Sequence, residues 1–241
     1  MYVSVLIPAF NERARLEPTL QAISQALSEQ SWEWELLVAD DGSVDGTAQL
    51  VEAFASQSPV VRLLRSDHNQ GKGAALARAA AQSSGQYLVY CDADLPVDAA
   101  RLVELIAPLE SGRADVVMVS RWMDSSPPVL GAPASRRLLS WLFRWWVAPL
   151  LPAGLSDSQC GFKAFRGDAA RELFACLETA GFAFDLELLC RASARGLRCL
   201  ELPLQVQHVV GSRVRPVIDS LRMVAAVLRI AFKQYSGSYR S

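Results

Sequence analysis

Gln86-Tyr87-Leu88-Val89-Tyr90-Cys91-Asp92-Ala93-Asp94 is a β-rich run that stops on two carboxylates separated by one alanine. Its apolar part is too short for a helix and suits a strand buried in a sheet. Similar runs stand on either side: Tyr2–Ile7, Trp34–Ala39, Val60–Arg65 and Asp115–Ser120 also read as strands. Between them, Arg13–Gln30, Asp45–Ser56, Lys72–Ser83 and Val97–Ser111 read as helices. Strands alternating with helices mean βαβ units, hence an α/β fold with a mostly parallel sheet flanked by helices. In such sheets ligands gather beyond the carboxyl ends of the strands. The polar clusters fall there: Pro8–Glu12, Asp40–Asp45, Asp67–Lys72 and Asp92–Asp94 follow the first four strands and are expected to converge on one crevice.

The bulk numbers agree with a folded, catalytic-sized domain. The chain has 241 residues, 51% of them hydrophobic, with a formal net charge of −1. This composition is not that of a disordered chain and gives no general attraction to nucleic acid. Five scattered cysteines show no zinc-ribbon or redox-motif spacing and read as reduced thiols. The strand pattern begins at Tyr2, with no basic and apolar leader before it, and no run of about 20 uncharged apolar residues occurs. The expectation is a cytoplasmic protein whose membrane contact, if any, is peripheral.

The second half has a different texture. Asp124–Pro133 reads as a loop, Ser135–Leu151 as a helix, Asp157–Arg166 as a turn running into a strand, Phe184–Arg195 as a helix, Arg198–Leu204 as a strand and Pro216–Lys233 as a last helix. The tail Gln234–Ser241 is expected to fray. In Ser135–Leu151 the basic Arg136, Arg137 and Arg144 share a face, opposite Leu138, Leu139, Leu142, Phe143, Trp145 and Trp146. That arrangement, with Trp141 close by, describes a helix lying in a membrane interface; the competing reading is a core helix with a solvated stripe. For Pro216–Lys233, where Asp219, Arg222, Arg229 and Lys233 form one stripe, an interfacial and a packed helix are equally open.

The carboxylates Asp92 and Asp94 can both reach a divalent cation. Hard oxygen ligands suit Mg²⁺ or Mn²⁺, with diphosphate oxygens completing the shell. Two exposed turn aspartates are also common without any metal, and it is the position at a strand end that favours the ligand reading. Asp45 reads as a helix cap, whereas the adjacent Asp40-Asp41 pair costs energy without a ligand and suits the N–H of a nucleobase. Glu12 either caps the following helix or binds ribose. Asn69-Gln70-Gly71-Lys72-Gly73 puts a lysine between glycines at a helix start, which suits a phosphate. The bland alternative is a glycine turn with a solvated lysine. The glycines lack Walker A spacing, which excludes a P-loop NTPase. His68 and His208 form no metal site.

Taken together, Val3–Glu12, Asp40–Thr47, Asn69–Gly73 and Asp92–Asp94 resemble the nucleotide-sugar domain of the family 2 inverting glycosyltransferases. Ser120-Arg121 resembles their Gly-Ser-Arg stretch. Ser156-Asp157-Ser158-Gln159-Cys160-Gly161-Phe162-Lys163-Ala164-Phe165 resembles the D-T-Q-C-G-F-K-L-F signature of dolichyl-phosphate β-glucosyltransferases and their bacterial relatives, to which the polyprenyl-phosphate mannosyl synthases are related. Phe182–Leu189 resembles the segment that follows it. The resemblance implies a GT-A fold and one catalytic domain over 1–241, with a nucleotide-sugar half at 1–120, an acceptor and membrane half at 121–233 and a tail at 234–241. It implies inverting transfer, glucose favoured, from a nucleotide diphosphate to a polyprenyl phosphate at the cytoplasmic face of a membrane, with UDP-glucose as first choice of donor. Asp92 and Asp94 would hold the metal, and Pro8, Phe10, Glu12, Asp40, Asp41 and Lys72 the nucleotide. Asp157 and Gln159 would line the sugar pocket. Arg121 with Arg136 or Arg137 would neutralise the acceptor phosphate, and Trp141, Trp145 and Trp146 would meet the membrane. A phosphate acceptor needs no general base; a hydroxyl acceptor would need a carboxylate such as Asp157 or Asp185. Pro96 stands where some of these enzymes have a glutamine metal ligand. The alternatives are a GDP-mannose-dependent mannosyltransferase, a family 2 enzyme with a non-lipid hydroxyl acceptor, and an inactive nucleotide-sugar-binding subunit.

Overall fold

The computed structural model describes residues 2–94, 98–120, 134–203 and 216–239, without the side chains of 134–137, 139 and 216–220. Seven strands form one sheet: β1 (Tyr2–Ala9), β2 (Glu33–Asp40), β3 (Val61–Arg65), β4 (Tyr87–Cys91), β5 (Val116–Val119), β6 (Phe162–Arg166) and β7 (Cys199–Leu202). Their order is β3-β2-β1-β4-β6-β5-β7. All neighbours run parallel except β6, which pairs antiparallel with both β4 and β5. β1 is an interior strand, Val3 pairing with Trp34 on one side and Tyr87 on the other. Its Val3, Val5, Leu6 and Ile7 are wholly buried, as a strand covered on both faces demands.

Helices cover both faces. On one side α1 (Arg13–Ser28), α2 (Thr47–Gln57) and α4 (Leu102–Glu110) bring Leu16, Leu20, Ile23, Val51, Leu105 and Ile106 onto the sheet. On the other, α3 (Lys72–Ala81), α6 (Gly167–Ala175) and α7 (Phe184–Ala194) pack Leu76, Ala79, Leu173, Phe174, Phe184 and Leu188 against Leu6, Leu88, Tyr90 and Phe165. α3 is nearly all alanine and glycine on its inner face, which lets it lie close to the strands.

The two remaining helices stand apart from these layers. α5 (Ala134–Val147) and α8 (Pro216–Tyr235) share a small core with α7, built on Val147, Leu150, Leu186, Val227 and Ile230. The chain does not fray at Gln234: α8 continues to Tyr235, and Tyr239 is buried with the Arg191 guanidinium 4.5 Å from its ring centroid. Ser135–Leu151 is buried only in part, through Val147 and Leu150. Leu138, Trp141, Leu142, Trp145 and Trp146 are exposed, whereas Arg144, expected on an outward basic stripe, turns inward to donate from Nε to the Ser156 carbonyl (3.0 Å). Among the described residues no helix is long and apolar enough to cross a membrane.

The candidate active site

Strand order reverses at β1: β2 and β3 lie to one side, β4 to the other. Beyond the carboxyl ends of β1 and β4 opens a cleft of about 850 Å³. Three short loops build its floor, and side chains staple them together. Asn11, in the left-handed region at φ 56°, accepts from the Val44 amide at Oδ1 (2.9 Å), and its own amide donates to Ser43 Oγ (2.8 Å). The Glu12 amide donates to Thr47 Oγ1 (2.9 Å). Asp45 accepts from the Thr47 amide (3.0 Å) and from the Arg13 amide (3.2 Å), so it caps α2 as expected and ties α1 to it. Burial works against its charge, but the Thr47 hydroxyl and these amides hold its carboxyl below the usual value. Asp41 accepts from the Gln70 and Gly71 amides (3.0 and 2.7 Å) and so fixes the loop before α3.

Asp92 and Asp94 stand at the end of β4 with their side chains 31% and 27% exposed, both facing the cleft. Each meets a protein cation. Lys72 Nζ lies 2.5 Å from Asp92 Oδ1, a close ion pair. Arg15 lies 3.4 Å from Asp94 and forks onto Glu12 through Nε and Nη2 (2.8 and 2.7 Å). Burial and the neighbouring Asp92 push the Asp94 carboxyl up, against the pull of Arg15. Burial alone would pull Lys72 down, but the Asp92 and Asp185 charges together raise it, so it stays cationic. Among the described residues no group of three or more metal-ligating side chains occurs. Paired, half-open carboxylates that both face the cleft fit a divalent ion that takes its remaining ligands from diphosphate and water.

The Ser156–Phe165 segment acts on Asp92 from below. Because β6 runs antiparallel, its first residue, Phe162, pairs with Cys91, and the Asp92 amide donates to the Gly161 carbonyl (3.0 Å). A Cβ on Gly161 would overlap the Asp92 carboxylate. Lys163 is fully buried and donates to Asp185 Oδ1 (2.6 Å), to the Cys160 and Ser158 carbonyls (2.7 and 3.0 Å) and to the Tyr90 hydroxyl (3.0 Å). Tyr90 in turn donates to Asp185. Asp185 is thus placed beneath the cleft in a buried ion pair, not as a base within it. Glu201 on β7 holds the other end of the segment, accepting from the Ser156 and Asp157 amides (2.9 and 2.7 Å).

Of the residues expected at the site, Pro8, Phe10, Glu12, Asp41, Lys72, Asp92 and Asp94 line the cleft. Glu12 pairs with Arg15 and makes no side-chain cap. Asp40 is wholly buried beside the cleft; one oxygen accepts from the Ser43 amide (3.3 Å) and Oδ1 has no partner. Asp157 and Gln159 sit in the loop next to Asp92, outside the cleft lining; Asp157 accepts from the Gln159 amide (2.9 Å), and Gln159 Nε2 is buried without a partner. Arg121, Pro96 and His208 lie outside the described residues, as do the side chains of Arg136 and Arg137. The start of α3 departs from expectation. The Gly73 amide is taken by the Ala180 carbonyl (2.7 Å), and a Cβ at Gly71 would come 2.5 Å from that same oxygen. The glycines admit the 179–181 backbone, so Lys72 alone remains for a phosphate. Sequence reasoning missed Arg15, the 179–183 wall, Glu201, Lys163 and the α8 arginines Arg222 and Arg229, which also line the cleft. The only prior signal was the charged stripe on the last helix.

Known proteins resemble this chain over nearly its whole length. A dolichyl-phosphate beta-glucosyltransferase of Dictyostelium discoideum is 32% identical, covering 100% of this chain and 77% of the relative. A glycosyltransferase of Haloferax volcanii, AglD, is 34% identical over 94% of this chain but only 36% of that longer protein. Among solved structures, glucosyl-3-phosphoglycerate synthase from Mycobacterium tuberculosis, in complex with Mn²⁺, UDP and phosphoglyceric acid, superposes with a TM-score of 0.68 at 26% identity, covering 97% of this chain and 78% of that one. The fold is GT-A, as that neighbour and its relatives show. The family model of glycosyl transferase family 2 matches residues 4–174, which include every cleft loop up to β6. That stretch is well over half of the chain, and the protein belongs to glycosyl transferase family 2 and is a glycosyltransferase.

Proposed function

We propose that the protein transfers glucose, with inversion, from UDP-glucose to a polyprenyl phosphate at a membrane surface. The observation that carries the chemistry is Asp92 and Asp94 facing a switch-point cleft whose other wall bears arginines. Relatives that are dolichyl-phosphate beta-glucosyltransferases support the sugar and the lipid, and a structural neighbour complexed with UDP supports the nucleotide. The exposed apolar residues of α5 support a lipid surface.

In this reading an acceptor phosphate oxygen attacks the anomeric carbon from the face opposite the nucleotide. The bond from that carbon to the β-phosphate oxygen breaks, and UDP leaves with the electron pair. Asp92 and Asp94 would hold a divalent ion, Mg²⁺ or Mn²⁺, which when bound neutralises charge on the departing diphosphate. Lys72 and Arg15, which line the cleft beside these carboxylates, would serve as cations for the diphosphate oxygens. Asp41 lies at the nucleoside end with Pro8 and Phe10, and the unpartnered Asp40 oxygen suits a base N–H. Arg121 and Arg136 or Arg137 stay assigned to the acceptor phosphate. The acceptor is ionised near neutral pH and needs no base, which matches Asp185 being committed to Lys163.

The structural neighbour bound to phosphoglyceric acid favours one second reading, a soluble phosphate-bearing acceptor. A donor-by-acceptor matrix decides: UDP-glucose and GDP-mannose against polyprenyl phosphate and 3-phosphoglycerate, read by product mass. Glucosylated lipid is expected. Faster transfer from GDP-mannose, or product only on phosphoglycerate, would replace the proposal. Asp94→Asn should remove turnover while the protein stays folded, because the leaving group loses several kcal/mol of stabilisation; near-normal activity, or activity in excess EDTA, would reject the metal role.

A further inference from the structure

Among its described side chains α8 presents three faces, one of them fully buried. Val227 and Ile230 are buried against α7, with Arg229 donating to Thr179 Oγ1 (3.1 Å) and Lys233 paired to Glu178. These contacts fix the second half of the helix. A second face, Arg222, Met223, Ala226 and Arg229, lines the cleft. The third face, Leu221, Val224 and Leu228, is apolar and 67%, 44% and 58% exposed. It borders the cleft-lining face along the helix.

The cleft cations differ in one respect. Lys72 and Arg15 are already neutralised by Asp92, Asp94 and Glu12, and Arg229 has a neutral partner. Arg222 has no hydrogen bond or ion pair among the described residues. Arg222 and Arg229 are seven residues apart, so they point the same way two turns along the helix. Two arginines on one side of a helix and an apolar stripe on the adjoining side match a molecule with a dianionic head and a hydrocarbon tail.

We propose that α8 is an acceptor-binding element: Arg222 and Arg229 receive the phosphate of a polyprenyl phosphate, and its chain runs over Leu221, Val224 and Leu228. The proposal rests on the lipid-phosphate reading of the site and adds residues to it. Arginine suits the role because its planar fork matches phosphate oxygens. The head enters over the rim formed by α8, while the nucleotide occupies the loops after β1 and β4 on the opposite wall.

The test is steady-state kinetics in neutral detergent, with a long-chain polyprenyl phosphate and with water-soluble geranyl phosphate, and Mn²⁺–UDP affinity measured separately by calorimetry. Arg222→Ala should raise KM for both acceptors about tenfold or more, with UDP affinity unchanged, and Arg222→Lys should recover part of it. The triple Leu221→Ser, Val224→Ser, Leu228→Ser should raise KM for the long chain only. All three leucine and valine positions are exposed, so the melting temperature should hold. The proposal is overturned if Arg222→Ala weakens UDP binding instead, if it alters only sedimentation with anionic vesicles, or if the triple variant treats both acceptors alike. Should the wild type turn over no isoprenyl phosphate at all, the lipid-acceptor reading itself falls; turnover that is indifferent to Arg222 removes only the role of α8.

Discussion

Asp92 occupies the space that a side chain at position 161 would fill, and this couples two motifs far apart in sequence. Gly161→Ala should leave the sheet intact, because the Gly161 carbonyl and not its Cα hydrogens holds the Asp92 amide. It should nevertheless push the carboxylate out of place, and a shift of about 1 Å at a reacting centre costs on the order of a hundredfold in rate. An alanine variant with wild-type kcat and an unchanged Mn²⁺ affinity would show that the carboxylate has room to move. At this scale, legibility followed distance along the chain. The role of Asp45 at the start of α2 could be read because Thr47 is two residues away, whereas its contact with Arg13, 32 residues away, gave no signal. The Gly71-Lys72-Gly73 turn was read as a phosphate loop because the occupants of its glycine amides, Asp41 for Gly71 and Ala180 for Gly73, leave no trace near position 71. Asp185 failed as a candidate base for the same reason: its partner Lys163 sits on another element.

The elements themselves were legible wherever the period was strong and the run long. The five early strands and four early helices appear with boundary shifts of a few residues, α4 being preceded by a short 3-10 turn at Ala99–Arg101. α6 had no counterpart in the sequence reading, since its nine residues are short and begin directly at the end of β6. The direction of β6 was equally hidden, because nothing in Phe162–Arg166 distinguishes an antiparallel strand from a parallel one. What holds that corner together is Asp115, just before β5. It accepts from the Arg198 amide and Nε (both 3.0 Å) and from Arg166 (3.2 Å), joining β5 to β7 and β6. The Arg198 side chain is the chief reason its carboxyl lies below the usual value, ahead of the opposing effect of burial. A depressed folded-state value means stability that is present above about pH 4 and lost as the pH falls through the folded-state value. Asp115→Asn should therefore lower Tm at neutral pH, by a loss of about 1–3 kcal/mol, and the gap to wild type should close in acid. A gap that is constant with pH would mean that the contacts matter through shape and not through charge.

For the whole molecule, the exposed apolar residues are distributed unevenly: Leu138, Trp141, Leu142 and Trp145 on α5, and Leu221, Val224, Leu228 and Phe232 on α8, belong to the two helices outside the sheet layers. Sedimentation with anionic liposomes should depend on them. The double variant Trp141→Ser, Trp145→Ser should stay in the supernatant at salt concentrations where wild type pellets, since indoles favour the headgroup zone; equal pelleting would place the contact elsewhere. One last consequence follows from the sheet order. β5 finds its partners only in β6 and β7, and β4 has β6 as its outer neighbour. A nascent chain that has emerged from the ribosome as far as residue 120 therefore carries one orphan strand and one bare sheet edge. Such an edge is a template for pairing with any passing strand. Synthesis must continue through Arg166 before β6 slides between the two and seals the sheet, so the first 120 residues reach their finished shape only after much of the rest of the chain has been made.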